Sequence, residues 1–355
     1  MFIKPIIFMK KFLSLFVVSV MALFLTSSAL SGATAPKKHM GVQVYSVKGF
    51  ESDVPGSLKT LADEGYVELE LANYDANTGL VAGYKPAEFA ALVKKYGMEV
   101  LSSHARAKFD VKDEAGTIAA WGKLFDDHKI MGCKYVVFPM NMWAGTVTGL
   151  KAECDLMNKI GDEANKRGIK FGYHNHNMEF ATVADTKQLY EDFLIANTDP
   201  GKVFFEMDVY WITIGGQDPV AYLKKYPTRF QALHIKDEYV VGESGKLDYK
   251  AIFDQFYKNG HDVWFVEMEG KMTKEEREKS MARMEAMKNV QAKGGTMQDM
   301  MAEMSKNQPK DKDGKPLPPA GRGPKDPKVV AEELKTSLDG LKQSADYLLK
   351  SDFVK

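Results

Sequence analysis

Histidines and carboxylates gather at four places in the second half of the sequence. These are His174-Asn-His176 followed by Glu179, Glu206-Met-Asp208, His234-Ile-Lys236-Asp237 and Glu267-Met-Glu269. Imidazole nitrogens and carboxylate oxygens together suit Mn²⁺, Co²⁺ and Zn²⁺ and, less well, Mg²⁺. The same groups give and take protons in general acid–base catalysis. Neither Cys133 nor Cys154 lies among them, so a thiolate zinc or iron–sulfur centre is excluded. Each motif alone is weak. A single His-x-His is more often a hydrogen-bonded pair than a ligand pair, and an Asp at a strand end is commonly a helix cap. Glu267 and Glu269 alone could be solvated loop residues. Recurrence in four successive segments is what points to one site.

The elements that must position these groups are legible as short apolar, β-branched or aromatic runs. They are Gly41–Tyr45, Tyr66–Leu71, Glu99–Ser103, Lys134–Pro139, Ile169–Tyr173, Val203–Met207, Phe230–Ile235 and Val263–Glu267. Helical stretches fill the gaps: Pro55–Glu64 and Pro86–Tyr96 open with Pro, and Ala152–Arg167 carries Leu156, Ile160 and Ala164 at helical spacing. Strand starts one βα unit apart, repeated eight times, predict a (β/α)₈ TIM barrel. A doubly wound open sheet is the competing arrangement, but no Gly-rich dinucleotide loop follows the first strand. Residues i and i+2 of a strand share a face. His174 with His176, Glu206 with Asp208, His234 with Lys236, and Glu267 with Glu269 therefore point the same way. Charged groups facing into a barrel need pairing or coordination, and barrel enzymes keep their active sites at the C-terminal mouth.

Lys and Arg number 48, as do Asp and Glu, and the charge is spread along the chain. Nothing in that balance suggests a polyanionic partner, so nucleic acid is not expected. Residues 1–35 read as a signal peptide: Met9-Lys-Lys11, an apolar run from Phe12 to Leu25, then Ala33-Thr-Ala35 in the form of a cleavage site. The run is short for a bilayer span, so the expectation is an exported, periplasmic or secreted protein with no membrane association after cleavage. A retained anchor is the alternative. Two cysteines do not define the fold, and a bridge between them is not expected. Residues 36–270 and 326–355 are assigned to the barrel, with an insertion at 271–325 between strand eight and the last helix, Pro327 to about Lys350. The insertion is charged and Met-rich to Met304, then dense in Pro, Gly and Lys from Asn307, where irregular or mobile chain is expected. It leaves the catalytic face, where a lid or partner surface would sit; a solvated, functionally neutral excursion is the alternative.

The sequence resembles the xylose-isomerase-like barrels, the sugar phosphate isomerases and epimerases, which share a superfamily with endonuclease IV. The resemblance is carried by Ser103-His104, Gly168-Ile-Lys-Phe-Gly-Tyr-His-Asn-His176, Met207-Asp208, His234-Ile-Lys-Asp237 and Phe265-Val-Glu267. It runs from Gly41-Val-Gln-Val-Tyr-Ser-Val47 to Glu267 and resumes at the last helix. What it implies is one divalent metal, Mn²⁺ foremost, held by a Glu, an Asp, a His and a Glu from strands five to eight. Asp208, His234 and Glu267 match the last three. His174 stands where the family has Glu, so either His174 takes that place or Glu179 swings in from the next loop.

The chemistry implied is metal-assisted proton transfer beside a sugar carbonyl through an enediolate, giving isomerisation or epimerisation. Glu267, Glu179 and His176 are the acid/base candidates. His104, Glu70 and Lys236 would hold hydroxyls or the oxyanion, and Trp143 and Trp211 would stack on the sugar. For these the plainer reading is a salt bridge for Lys236 and Glu70 and core packing for the tryptophans. Export, with no phosphate loop or Arg cluster, points to a non-phosphorylated sugar or glycoside; a homo-oligomer is possible in this fold. The alternatives are a 3-keto-glycoside lyase or hydrolase working by elimination, a nuclease, and a non-catalytic sugar-binding barrel. Neutral charge and few spare histidines count against the nuclease.

Overall fold

The structure, a computed structural model, describes residues 38–184, 186–295, 297–306 and 326–355. The expected signal peptide, residues 1–35, and the Pro-, Gly- and Lys-rich stretch lie outside the described residues.

Eight strands form a closed barrel: β1 Gly41–Gln43, β2 Glu68–Leu71, β3 Glu99–His104, β4 Tyr135–Phe138, β5 Lys170–His174, β6 Val203–Asp208, β7 Phe230–Ile235 and β8 Val263–Val266. Neighbours are parallel and follow chain order, and β8 closes on β1 with Gly41 opposite Phe265. Closure disposes of the open-sheet alternative. All eight segments read from the sequence become strands. The first is shorter than expected, because Val44–Ser46 turns into a 3₁₀ helix under the Gln43 side chain, which accepts the Tyr45 N–H. A two-stranded hairpin, Tyr74–Asp75 with Leu80–Val81, rises from the loop after β2 and has no counterpart in the sequence reading.

Helices follow the strands: α1 Val54–Asp63, α2 Pro86–Lys95, α3 Glu114–Met131, α4 Val147–Asn165, α5 Tyr190–Asn197, α6 Val209–Ile214, α7 Pro219–Lys225 and α8 Tyr249–Lys258. Many are started by local chemistry legible in the sequence. Asp53, Asp113, Thr146 and Asp248 each accept a backbone N–H of the first turn. In the insertion, α9 Lys274–Ala292 opens with a Thr273/Glu276 capping box, followed by α10 Met297–Lys306. The last helix, α11, spans Pro327–Lys350. From His39 to Lys355 the described residues form one compact unit. Among the described residues no helix is long and apolar enough to cross a membrane, and Cys133 and Cys154 are buried and free.

Strand parity divides the interior in two. Val42, Leu69, Val136, Phe171, Phe205, Leu233 and Trp264 point outward and pack in the main core, as strands covered by helices require. The alternate positions face the barrel axis. Val137, Phe204 and Ala232 form a small apolar cluster with Tyr135 and Val263. Gly172 makes room for it: a Cβ there would lie 2.5 Å from Phe204 Cζ. The same inward parity, carried one or two residue pairs further along each strand, reaches Glu70, Ser102, His174, Glu206, Asp208 and His234. The apolar plug thus supports a polar layer at the strand ends.

Candidate functional site

Buried carboxylates and imidazoles fill that polar layer. Glu206 Oε2 lies 2.7 Å from His104 Nε2 and 3.1 Å from both His174 Nδ1 and His234 Nε2. Glu70 Oε2 lies 2.5 Å from His234 Nε2 and accepts the Gln43 amide at 2.8 Å, while its Oε1 accepts the Ser102 hydroxyl at 2.6 Å. Toward the mouth, His234 Nδ1 is 2.6 Å from Glu267 Oε2. His174 Nε2 faces Asp208 Oδ2 at 3.9 Å. Asp208 plays the helix-cap role as well, since its Oδ1 accepts the Tyr210 and Trp211 N–H groups at 2.9 and 2.8 Å. Its other oxygen, Oδ2, is buried without a hydrogen-bond partner.

One donor atom from each of His174, Asp208, His234 and Glu267 lies within 4.8 Å of the others, and His104, His174, Glu206 and His234 form a second such group. The donor set fits a borderline divalent cation, and the orphaned Asp208 oxygen fits one too, because a buried acceptor without a donor is costly unless a cation serves it. Of the two strand-five alternatives, the structure brings His174 to this cluster.

Electrostatics separate the groups. Burial pushes the Asp208 carboxyl up to about 7, against the pull of Lys236. Burial opposes ionisation of Glu267 too, but Lys236 and His234 hold it well below the usual carboxylate range. Burial, with His234 and His104 beside it, keeps His174 well below the ordinary imidazole value. His104 and His234 go the other way: burial disfavours their charge, but the Glu70 and Glu206 carboxylates outweigh it.

A cavity of about 460 Å³ opens above the cluster. His104, His174, His176 and Glu267 line its floor side, and Tyr45, Tyr74, Arg106, Met140 and Glu269 are among its other lining residues. Several residues expected here are elsewhere. Glu179 sits in the 3₁₀ turn Met178–Phe180, fully buried, where it takes the Tyr173 hydroxyl at 2.6 Å and the His176 N–H at 2.8 Å. Those bonds turn it away from the four-ligand cluster and from the cavity. Glu70 lies beneath the cavity rather than in its wall, its oxygens taken by Gln43, Ser102 and His234. Trp143 is buried, donates its indole N–H to the Tyr173 hydroxyl at 3.1 Å and does not line the cavity. Trp211 is also buried, with the Lys236 ammonium 5.2 Å from its ring centroid. Both tryptophans thus sit in the core rather than in the cavity wall. Lys236, 1% exposed, pairs with Glu269 at 2.7 Å and Glu267 at 3.3 Å instead of reaching the cavity.

Conversely, Tyr45, Tyr74 and Arg106 line the cavity without having been singled out. Arg106 follows His104 by two residues and shares its strand parity, a signal that the sequence did carry. For Tyr45 the signal was its place just past the first strand. Glu206, noted as one of the clustered acids sharing a face with Asp208, proves to meet three imidazoles, those of His104, His174 and His234.

Comparison with known proteins agrees with this geometry. The profile described as xylose isomerase-like TIM barrel matches residues 58–290. The inosose dehydratase of Geobacillus kaustophilus is 25% identical over 232 residues, taking in 55% of this chain and 68% of that protein. For the inosose dehydratase of Lacticaseibacillus casei the figures are 25% over 152 residues, 36% and 47%, so the chain spans about half of that relative's length. Among solved structures, a sugar phosphate isomerase/epimerase from Parabacteroides distasonis has a TM-score of 0.69 at 28% identity, covering 93% of this chain and 99% of that one. A second from the same organism has a TM-score of 0.67 at 32% identity, covering 90% and 100%.

Proposed function

The chain belongs to the xylose isomerase-like TIM-barrel family, and from that premise we propose that it is a divalent-metal-dependent enzyme acting by proton transfer beside the carbonyl of a non-phosphorylated sugar, as an isomerase or epimerase. The observation that carries the reading is the convergence of His174, Asp208, His234 and Glu267, with one Asp208 oxygen buried and unpartnered, at the floor of a sugar-sized cavity. Those four residues would hold the ion, with Mn²⁺, Co²⁺ or Zn²⁺ suited to mixed imidazole and carboxylate donors. When bound, such an ion supplies Lewis acidity toward a carbonyl oxygen and an adjacent hydroxyl.

The remaining roles fall to the cavity wall. His176 lines it and has an unpartnered Nδ1; burial, with Lys236, pushes it down to about 3, so the ring is uncharged and would take a proton only where bound substrate raises that value. Glu267 is the second proton-transfer candidate. His104, drawn toward its charged form by Glu70 and Glu206, presents positive charge to a developing oxyanion. Among the described residues Arg106 is the single Arg or Lys of the lining, and it faces a cavity that also holds Glu267 and Glu269. A dianionic phosphate fits that lining poorly, which supports a free sugar or glycoside. Export to a periplasm or beyond belongs to the same reading and rests on the Met9 to Ala35 pattern.

The inosose dehydratase relatives favour a second outcome of the same proton abstraction. Removal of a proton beside a ketone followed by loss of a β-oxygen substituent would make the chain a lyase on a keto sugar or 3-keto-glycoside. Metal content of purified wild type, compared with a folded Asp208→Ala/His234→Ala variant, tests the common premise. Near-stoichiometric metal lost in the variant supports it; no metal in the wild type and no thermal shift on adding Mn²⁺ or Zn²⁺ overturns it. A screen of keto sugars and keto glycosides then separates the two outcomes, because only elimination releases an aglycone or water.

A further inference from the structure

His174 and His234 each stand between two clusters. On their inner edges, His174 Nδ1 and His234 Nε2 meet Glu206 Oε2 at 3.1 Å each, and His234 Nε2 meets Glu70 Oε2 at 2.5 Å. On their outer edges, His174 Nε2 faces Asp208 Oδ2 and His234 Nδ1 faces Glu267 Oε2. A neutral imidazole has one N–H and one lone pair. Neither ring can therefore ligate on both edges at once, and the two four-residue groups are alternatives rather than a pair of ions side by side.

Two observations choose between them. Glu70 is locked, since Gln43, Ser102 and His234 take its oxygens in a fully buried setting. It occupies the Nε2 edge of the His234 ring, which leaves Nδ1 as the edge an ion would use. Glu206, equally buried, has the same relation to His174. An orphaned oxygen does not separate the two sets, because Asp208 Oδ2 and Glu206 Oε1 are both buried without a donor. Second, each set has two members in the cavity wall, but the outer set brings a carboxylate there, Glu267, which leaves an ion on that edge open to substrate, whereas the inner set's Glu206 lies beneath the cavity.

We infer that the protein holds a single ion on the outer set and that Glu206 and Glu70 are positioning residues, fixing the ring orientation and tautomer of His174 and His234 from behind. This rests on the metal-dependent reading above. Carboxylates placed behind ligating histidines typically account for about 10–100-fold in metal affinity.

The test is a Co²⁺ titration of the chelator-stripped, full mature chain, read by the visible spectrum and by competition with a chelator, for wild type, Glu206→Gln, Glu70→Gln and Asp208→Asn. Expected are one ion per wild-type chain, binding about 10–100-fold weaker with a shifted Co²⁺ spectrum in Glu206→Gln and Glu70→Gln, and binding abolished in Asp208→Asn. The two Gln variants keep size and hydrogen-bonding capacity, and either one suffices if the other does not fold. Wild-type affinity and spectrum in both Gln variants would overturn the positioning role. So would two ions per chain, or binding lost in Glu206→Gln but kept in Asp208→Asn, which would move the ion to the inner set. A wild type that binds no Co²⁺ fails at an earlier point, overturning the metal-dependent reading itself.

Discussion

Lys236 Nζ lies 3.3 Å from Glu267 Oε1, so the cavity-facing carboxylate is shared between a buried ammonium and the His234 imidazole. The same ammonium is 2.7 Å from Glu269 Oε1 and 4.0 Å from Asp208 Oδ2. Without a metal, Lys236 and His234 are the positive charges that hold these acids together. Lys236→Met removes the ammonium shared by Glu267 and Glu269 and leaves their buried negative charge under-compensated, a change that typically costs about 3–5 kcal/mol. Thermal unfolding of the metal-free variant is expected roughly 5–15 °C below wild type, with part of the loss restored by Mn²⁺. An unchanged melting temperature would show that Lys236 is not structurally required.

The aromatic that meets the substrate is expected to be Tyr45, not a tryptophan. Tyr45 is 48% exposed in the cavity wall, with the Lys48 ammonium 3.4 Å from its ring centroid and its hydroxyl 3.2 Å from Glu269 Oε2. Tyr45→Ala should raise KM about ten-fold, the equivalent of 1.4 kcal/mol, and leave the melting temperature nearly unchanged. Trp143→Ala should instead destabilise by about 3–5 kcal/mol. Steady-state kinetics on the identified substrate and thermal melts of both variants decide it; the reverse pattern would return the stacking role to Trp143.

Glu153 on α4 supplies a pH dependence away from the candidate metal set. Its carboxylate oxygen accepts the Ala144 N–H at 2.8 Å, and burial pushes its carboxyl up to about 7. In the unfolded chain it ionises near about 4.3. Between those values the native state keeps a proton that the unfolded state has lost, so this group's contribution falls as pH rises through that window. Glu153→Gln keeps an acceptor for Ala144 and removes the titration. The melting temperature of the variant relative to wild type should therefore climb by a few degrees between pH 4.5 and pH 8 (about 2–4 °C per kcal/mol). A pH-independent difference would count against the raised value.

The end of α9 is pinned to the loop after β4 by backbone contact. A Cβ on Gly145 would lie 2.3 Å from Gly294 Cα, and next to this contact Gln291 donates to the Trp143 carbonyl at 3.0 Å. At the other end Arg277 pairs with Glu238 at 3.2 Å. Gly145→Ala forces these backbones apart, at about 1–3 kcal/mol for an overpacked contact. Hydrogen exchange across residues 274–292 should then speed by roughly ten-fold or more, while the barrel strands keep their protection. Equal exchange in variant and wild type would mean that the helix is held by other contacts.

Much of this protein is determined by its sequence, because the relevant rules are local. Alternation along a strand puts Glu206 and Asp208 on one face, and His234 and Lys236 on another, whatever the rest of the chain does. The eight βα units, the helix caps at Asp53 and Thr146, and the strand-end positions of Asp208, His234 and Glu267 all follow from spacing within a few residues. Depth and neighbours do not. Glu70 and Glu267 both occupy inward-facing positions near the ends of barrel strands, but closure sets Glu70 beneath His234 and Glu267 beside the cavity. Trp143 and Trp211 became core because a Tyr173 hydroxyl and a Lys236 ammonium, distant in sequence, meet them. Glu179 was drawn aside by Tyr173 in the same way. Strand parity is fixed by covalent geometry; which layer a side chain occupies depends on register around the closed barrel, and only the tertiary structure decides that.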